Sequence, residues 1–295
     1  MSERLPTYGG QAVIEGVMMR GANAVAIAMR APDQQIVIHT EKLGGIYKSR
    51  LTKIPFLRGL VILWDALGLG MRALTISANT QSGEDEQLEG PALYLTLAFS
   101  LAFAIGLFFL APAAAGQLIE NTFDVSAWVS NLAEGLVRLA LLVGYIWAIG
   151  RMEDIQRVFA YHGAEHKTIN AFEAGAELTP ETVAQYSREH PRCGTAFLLT
   201  LVLFSILVFS LLGPLPLWWR LGTRVLFIPI LAGIAYEYIR WTALNLDSKF
   251  VQWLIRPNLA LQRLTTNEPS LEILEVGIAA FNAMRRAEQE EVAVL

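Results

Sequence analysis

Residues 161–166 read Tyr-His-Gly-Ala-Glu-His, the H-x-x-E-H spacing of an inverted zinc-binding motif. On a helix, His162 and His166 stand one turn apart and point the same way, so both imidazoles can reach one ion. Glu165 lies beside them, close enough to take a proton from a water that such an ion activates, which makes it the candidate catalytic base. A catalytic zinc wants three protein ligands plus a water. Further donors must therefore fold in from elsewhere. His190 and Cys193 sit in His-Pro-Arg-Cys-Gly, where Pro191 holds a non-helical bend that could turn the pair toward one ion. Glu237 ends a long apolar stretch, and a carboxylate that deep is costly without a partner. Glu173 cannot share an ion with His166, because seven residues along a rigid helix is about 10 Å. The expected ligand set is drawn from His162, His166, His190, Cys193 and Glu237 around a divalent metal, zinc first.

A plainer reading uses the same residues. The imidazoles could hydrogen-bond lipid headgroups or carbonyls, and Glu165 with Lys167 could be a solvated face. Glu237 and Arg240 could pair at a helix end, and Cys193 could be a small packed hydrophobe. His39, in an expected strand with no partner nearby in sequence, reads as structural.

Composition says what must position these groups. The chain has 295 residues, 54% hydrophobic and 17% charged, with mean hydropathy +0.41. Soluble domains run about a quarter charged. Disorder is excluded for most of the chain, and a purely water-soluble globule is disfavoured. A net charge of −4 offers no basic field for nucleic acid. One cysteine excludes an intrachain disulfide and a four-cysteine zinc site.

A bilayer core needs roughly 20 apolar residues of helix. Four stretches qualify: 93–115, 129–150, 195–212 and 217–239. The second carries Glu134 and Arg138, four apart and able to pair on one face. Residues 1–92 hold nine Lys/Arg, the loop 116–128 none, and the loop 151–193 five, so the basic residues alternate sides. That alternation predicts four spans with both termini in the cytoplasm. Residues 54–78 are apolar enough for a fifth crossing, but Arg58, Asp65 and Arg72 recur every seven residues, nearly on one face. A crossing there would also put the uncharged loop inside. The segment is therefore expected to lie on the cytoplasmic surface or dock against the spans, with a re-entrant helix as the alternative.

The fold expected is a mainly α-helical integral membrane protein. It has four transmembrane helices, a small N-terminal cytoplasmic β-rich unit, and cytoplasmic amphipathic helices. Residues 1–53 form the β-rich unit, on the alternation in Gln11–Arg20, Ala24–Arg30 and Gln35–Thr40. Its glycines read as turns and bulges rather than a phosphate loop, since no GK[ST] follows. Residues 79–92 form an acidic linker, 93–150 the first two spans, and 151–193 a cytoplasmic loop whose Met152–Glu173 stretch is helical. Residues 194–240 form the last two spans. In 241–295 a final helix begins near Pro269, and its stripe of Leu271, Leu274, Ile278 and Phe281 packs on the β unit. The tail 288–295 is expected to fray.

Four segments taken together are specific: Gly9–Arg20 (GGQAVIEGVMMR), Tyr161–Lys167 (YHGAEHK), His190–Thr195 (HPRCGT) and Leu264–Pro269 (LTTNEP). They resemble the YqhQ-like family, bacterial integral membrane proteins described as metal-dependent enzymes of unknown function. The resemblance covers nearly the whole chain and implies the bacterial plasma membrane, but it supplies no reaction. It also marks Gln11–Arg20, to which spacing assigns no chemistry. Two functions stay open. One is a metal-dependent hydrolase at the cytoplasmic membrane face. The other is a non-catalytic scaffold, or an assembly or translocation accessory, partnered by the lipid bilayer, other membrane proteins or a second copy. A transporter is a weaker third, since no matching pair of broken helices is visible.

Overall fold

The computed structural model describes residues 8–43, 54–82 and 90–294. Most of the acidic linker lies outside them. The chain is mostly helical, with one four-stranded antiparallel sheet in sequential order. Its strands are β1 (Gly9–Val13), β2 (Gly16–Arg20), β3 (Ala24–Arg30) and β4 (Ile36–Lys42). The Gln11–Arg20 run is thus two strands, folded back at Glu15 with φ +52° and registered Val13 to Gly16. Period-two alternation gives the sheet two apolar faces. Val17, Met19, Ala26 and Ala28 point one way, and Met18, Val25, Ile27 and Met29 the other.

Each face is covered. Helix α1 (Leu57–Gln81) lays Leu69, Ala73, Leu74 and Ile76 on the second face. The charged stripe foreseen on this helix is matched residue by residue. Arg58 pairs with Glu237, Asp65 with Arg20 at 3.6 Å, and Arg72 with Glu41 at 2.7 Å. The stripe faces protein, which is why the helix carries it. By length and apolarity α1 also qualifies to cross a membrane. Its second half, however, is bound to the sheet, with Ser77 Oγ accepting from the Ile14 N–H at 3.3 Å.

The long apolar helix Tyr94–Phe123 is continuous but irregular. It comprises α2 (Pro91–Ile105), a π turn at Gly106–Leu110, and α3 (Ala111–Phe123). Pro112 has no N–H to give the Phe108 carbonyl four residues back, and Arg138 Nε takes that carbonyl instead at 2.8 Å. Helix α4 (Ala127–Ile149) follows, then α5 (Glu153–Glu173), which bears the histidine motif, and a short α6 (Pro180–Val183). Helix α7 (Gly194–Ser210) is apolar but only 17 residues long. The fourth apolar stretch is broken into α8 (Leu217–Leu226) and α9 (Ile228–Leu244), bent by 42°. Among the described residues, three helices are therefore long and apolar enough to cross a membrane, or four if the bent pair counts as one.

Short helices α10 (Lys249–Leu254) and α11 (Arg256–Gln262) lead to α12 (Leu271–Val294). Helix α12 packs on the sheet, but of the expected stripe only Phe281 does so; Val276, Ala280 and Met284 join it against Val17, Met19, Ala26 and Ala28. Leu274 and Ile278 are buried against α5 and α6, while Leu271 stays exposed. The start of the tail is pinned, because Glu288 accepts the Ala22 N–H at 2.6 Å and the Asn23 N–H at 3.1 Å.

Candidate metal centre

Helix α5 follows α4 after a break at residues 150–152 and runs beside α12 on the same face of the sheet, over β1 and β2. At Gly163 it lets another segment approach closely. A Cβ there would lie 2.2 Å from the Asn267 carbonyl oxygen. The Asn267 N–H donates to the Phe159 carbonyl at 2.9 Å, so residues 264–269 are laced onto α5. That contact delivers the Thr265 carbonyl to His162.

The two imidazoles stack edge to face, 4.4 Å between centroids. His162 Nδ1 donates to the Thr265 carbonyl at 2.8 Å, and His166 Nδ1 to the Arg188 carbonyl at 2.6 Å. A carbonyl only accepts, so each ring carries a proton on Nδ1, which makes Nε2 the lone-pair nitrogen of the neutral imidazole. Ligating histidines are held in this way, with the outer nitrogen bound to a fixed acceptor. His162 Nε2 lies 3.2 Å from Cys193 Sγ. His166 Nε2 is buried with no hydrogen-bond partner. One donor atom from each of His162, His166 and Cys193 falls within a mutual 4.8 Å. Bonds of about 2.0–2.3 Å to one zinc would need these donors somewhat closer together. The fit is good: two imidazoles, a thiol able to ionise on binding, and an orphaned lone pair.

The other expected ligands are placed differently. His190 is buried in the same cavity, its ring centroid 5.5 Å from that of His166. Its Nε2 has no hydrogen-bond partner and lies 3.9 Å from Glu173 Oε2. Burial holds its imidazole below the usual range. It stands behind the three-donor group rather than in it. Glu237 is not brought to the site at all. Arg58 grips its carboxylate through both Nε and Nη2, and the Phe56 N–H donates to it at 3.1 Å. The pairing with Arg240 considered from spacing is replaced by this one. Glu173 pairs with Arg192.

Glu165 is buried and opens on the cavity shared by His162, His190 and Cys193, about 260 Å³ in volume. Burial pushes its carboxyl up to about 7, against the pull of His162 and of the Gly10 N–H. Gly10 is required here, since a Cβ would sit 2.5 Å from the Met18 carbonyl and 2.9 Å from Glu165 Cγ. The Gln11–Arg20 hairpin thus gains a role: it roofs the cavity with Gly10, Gln11, Met18 and Arg20.

Sequence reasoning missed Gln262. It is fully buried, and its side-chain amide both donates to the His190 carbonyl and accepts the His190 N–H, each at 2.9 Å. It thereby holds the loop that ends in Cys193. Gln262→Leu leaves the buried His190 N–H unpaired, at about 1–3 kcal/mol, and leaves the His190 carbonyl with the Cys193 N–H alone, at 3.3 Å. Zinc affinity, read by competition with a chelator, is expected to fall roughly 10–100-fold, the scale of outer-shell losses; unchanged affinity would detach Gln262 from the centre.

The family described as "Protein of unknown function (DUF1385)" matches residues 54–287. The chain belongs to this family. Uncharacterized protein YqhQ of Bacillus subtilis (strain 168) is 38% identical over 300 residues, covering 96% of this chain and 93% of that one. All three donors of this DUF1385 protein lie in the matched span. No solved structure matches it.

Proposed function

We propose that the protein is a metal-dependent hydrolase of the bacterial plasma membrane, with its centre at the cytoplasmic face. On this reading the apolar helices Tyr94–Phe123 and Ala127–Ile149 and the bent pair α8–α9 cross the bilayer, with the shorter apolar α7 as the fourth crossing. The basic residues of 1–92 and 151–193 orient them. Helix α1 stays on the cytoplasmic side, docked between the sheet and α9.

The observation that carries the metal reading is the buried, unpartnered Nε2 of His166. Such a group costs about 1–3 kcal/mol unless something binds it, and its neighbours are a second bare Nε2 and a thiol. His162, His166 and Cys193 would hold the ion, beside the cavity that Glu165 lines. A bound divalent ion supplies Lewis acidity and a water nucleophilic near neutral pH. Glu165, held by the Gly10 N–H, takes the proton of the attacking water and returns it to the leaving group. Full-length protein isolated from membranes without chelators, analysed by mass spectrometry of its metals, is expected to carry one equivalent of zinc per chain. Metal-free protein that also takes up no added zinc would overturn the reading and leave the histidines as a structural polar cluster.

A further inference from the structure

A second cavity lies on the other side of the candidate ligands. It is a groove of about 460 Å³ between α2 with its π turn, α4 and α7, within the roughly 300–1,000 Å³ range of ligand sites. On α4 its lining runs from Ile149 to Arg138, about 16 Å at 1.5 Å per residue. Phe108, Leu142, Ile146, Leu198 and Val202 make its walls. Water gains little there. Arg138, at the deep end, already donates through Nε to Phe108, through Nη1 to Ser205 and through Nη2 to Glu134. An apolar cavity without open polar partners stays dry.

The shallow end of the groove meets the back of the metal centre. Thr195 and Thr265 line it, their hydroxyls 3.3 Å apart. The Thr265 carbonyl is the acceptor that sets the His162 ring, and the Thr195 N–H donates to Cys193 Sγ at 3.4 Å. The rim carries Leu101, Tyr145 and Leu198, all exposed. Helix α2 also exposes Leu95, Phe99 and Phe103, apolar surface of the kind that a bilayer covers. The groove is therefore continuous with lipid-facing surface at its rim and with the ligand-bearing segments at its inner end. A π turn at its wall is the kind of irregularity found at functional sites.

We propose that this groove takes the hydrocarbon chain of a lipid, lying with its polar part toward Thr195 and Thr265 and its methyl end toward Phe108 and Arg138. Building on the hydrolase reading, the substrate is then an acyl-chain-bearing amphiphile rather than a soluble molecule. The full-length protein is reconstituted in phosphatidylethanolamine–phosphatidylglycerol vesicles containing one of two phosphatidylglycerol probes. One bears a diazirine near the head of its acyl chain, the other near the methyl end. Cross-links are mapped by peptide mass spectrometry, and zinc content is measured on the same samples.

The head-proximal probe is expected to label Thr195, Leu198 and Ile149, and the methyl-end probe Phe108 and Val202. Filling the groove with Leu142→Trp, or from the other wall with Ala104→Phe, is expected to reduce groove labelling at least roughly tenfold by steric exclusion. Labelling at Leu95 and Phe99 and the zinc content stay as in wild type. Reversed probe order, or groove labelling indifferent to both filling variants, overturns the proposal. Ordered groove labelling in protein that binds no zinc leaves the lipid site standing and removes the hydrolase reading alone.

Discussion

His166→Ala is expected to keep its fold and lose its metal. The ring makes one directional bond, Nδ1 to the Arg188 carbonyl, and buries a second nitrogen with no hydrogen-bond partner. In metal-free protein the substitution removes the orphaned nitrogen but leaves the part-buried Arg188 carbonyl unpaired and opens a small cavity, so thermal stability without zinc falls by about 1–3 kcal/mol. The metal-bound state is different. Losing an outer hydrogen bond weakens a site roughly 10–100-fold, and losing a ligand from a set of three weakens it further. Zinc affinity should therefore fall by more than about 100-fold. The cleanest readout is thermal unfolding with and without zinc. A ligand at about 1,000 times its Kd adds about 4 kcal/mol to the native state, so wild type should gain several degrees and His166→Ala nothing. Cys193→Ser should behave likewise, because a hydroxyl does not ionise as the thiol does. Glu237→Ala, which removes an expected ligand that the fold places elsewhere, should gain as wild type does. A zinc-dependent gain in His166→Ala equal to that of wild type would mean the ion, if any, binds at another site.

The pairing of His162 and His166 was legible because helical spacing alone decides it. The arrival of Cys193 was legible as an option, since Pro191 and the following apolar helix bring its segment to the same end of the bundle. What could not be read was the choice among His190, Cys193 and Glu237. That choice is made by backbone groups, which residue types do not disclose. Gln262 holds the His190 backbone and so turns Cys193 toward His162. Phe56 N–H and Arg58 take the Glu237 carboxylate from a segment 179 or more residues away in sequence. The charged stripe of α1 is a similar case. Its periodicity was visible and a docked helix was among the readings, but nothing local distinguishes a stripe that faces water from one that faces β2, β4 and α9. The sheet was legible as alternation. Its division at Glu15 was not, because a single residue with positive φ inside an apolar run leaves little mark on the pattern.

The buried charge network is where one substitution should cost the most. Spacing foresaw the pair Glu134–Arg138, found at 2.8 Å. It did not foresee that Arg220 and Arg224, 86 and 90 residues on, close on the same carboxylate. Arg224 binds both of its oxygens, at 2.8 and 2.7 Å, and Arg220 reaches it at 3.2 Å while also pairing with Glu120 at 2.7 Å. Glu134 and Arg224 are fully buried and Arg138 nearly so. Asn131 Oδ1 accepts from both Arg220 and Arg224, which ties α4 to α8 a second time. Removing one partner of a buried ion pair costs about 3–5 kcal/mol, since the remaining charge is left without compensation. Glu134→Ala strands the guanidinium groups of Arg138 and Arg224 at once and leaves Arg220 with Glu120 alone. Against a total stability of about 5–15 kcal/mol, most of the folding free energy is lost, and the variant is expected not to accumulate as a monodisperse species in detergent. The mechanism makes a second demand that simple loss of packing does not. Replacing the inner ions together by apolar groups of similar size, as in Glu134→Leu with Arg138→Met and Arg224→Met, removes the uncompensated charges and leaves Arg220 with Glu120. Such replacements are often neutral or stabilising, so the triple variant should recover a large part of the midpoint that the single variant loses. A triple variant no better than Glu134→Ala would show that shape, and not charge balance, is what these residues supply. The network also lies in the N-terminal half of α4, whereas the histidine helix follows its C-terminal end, so the refolded triple variant should bind zinc with wild-type affinity.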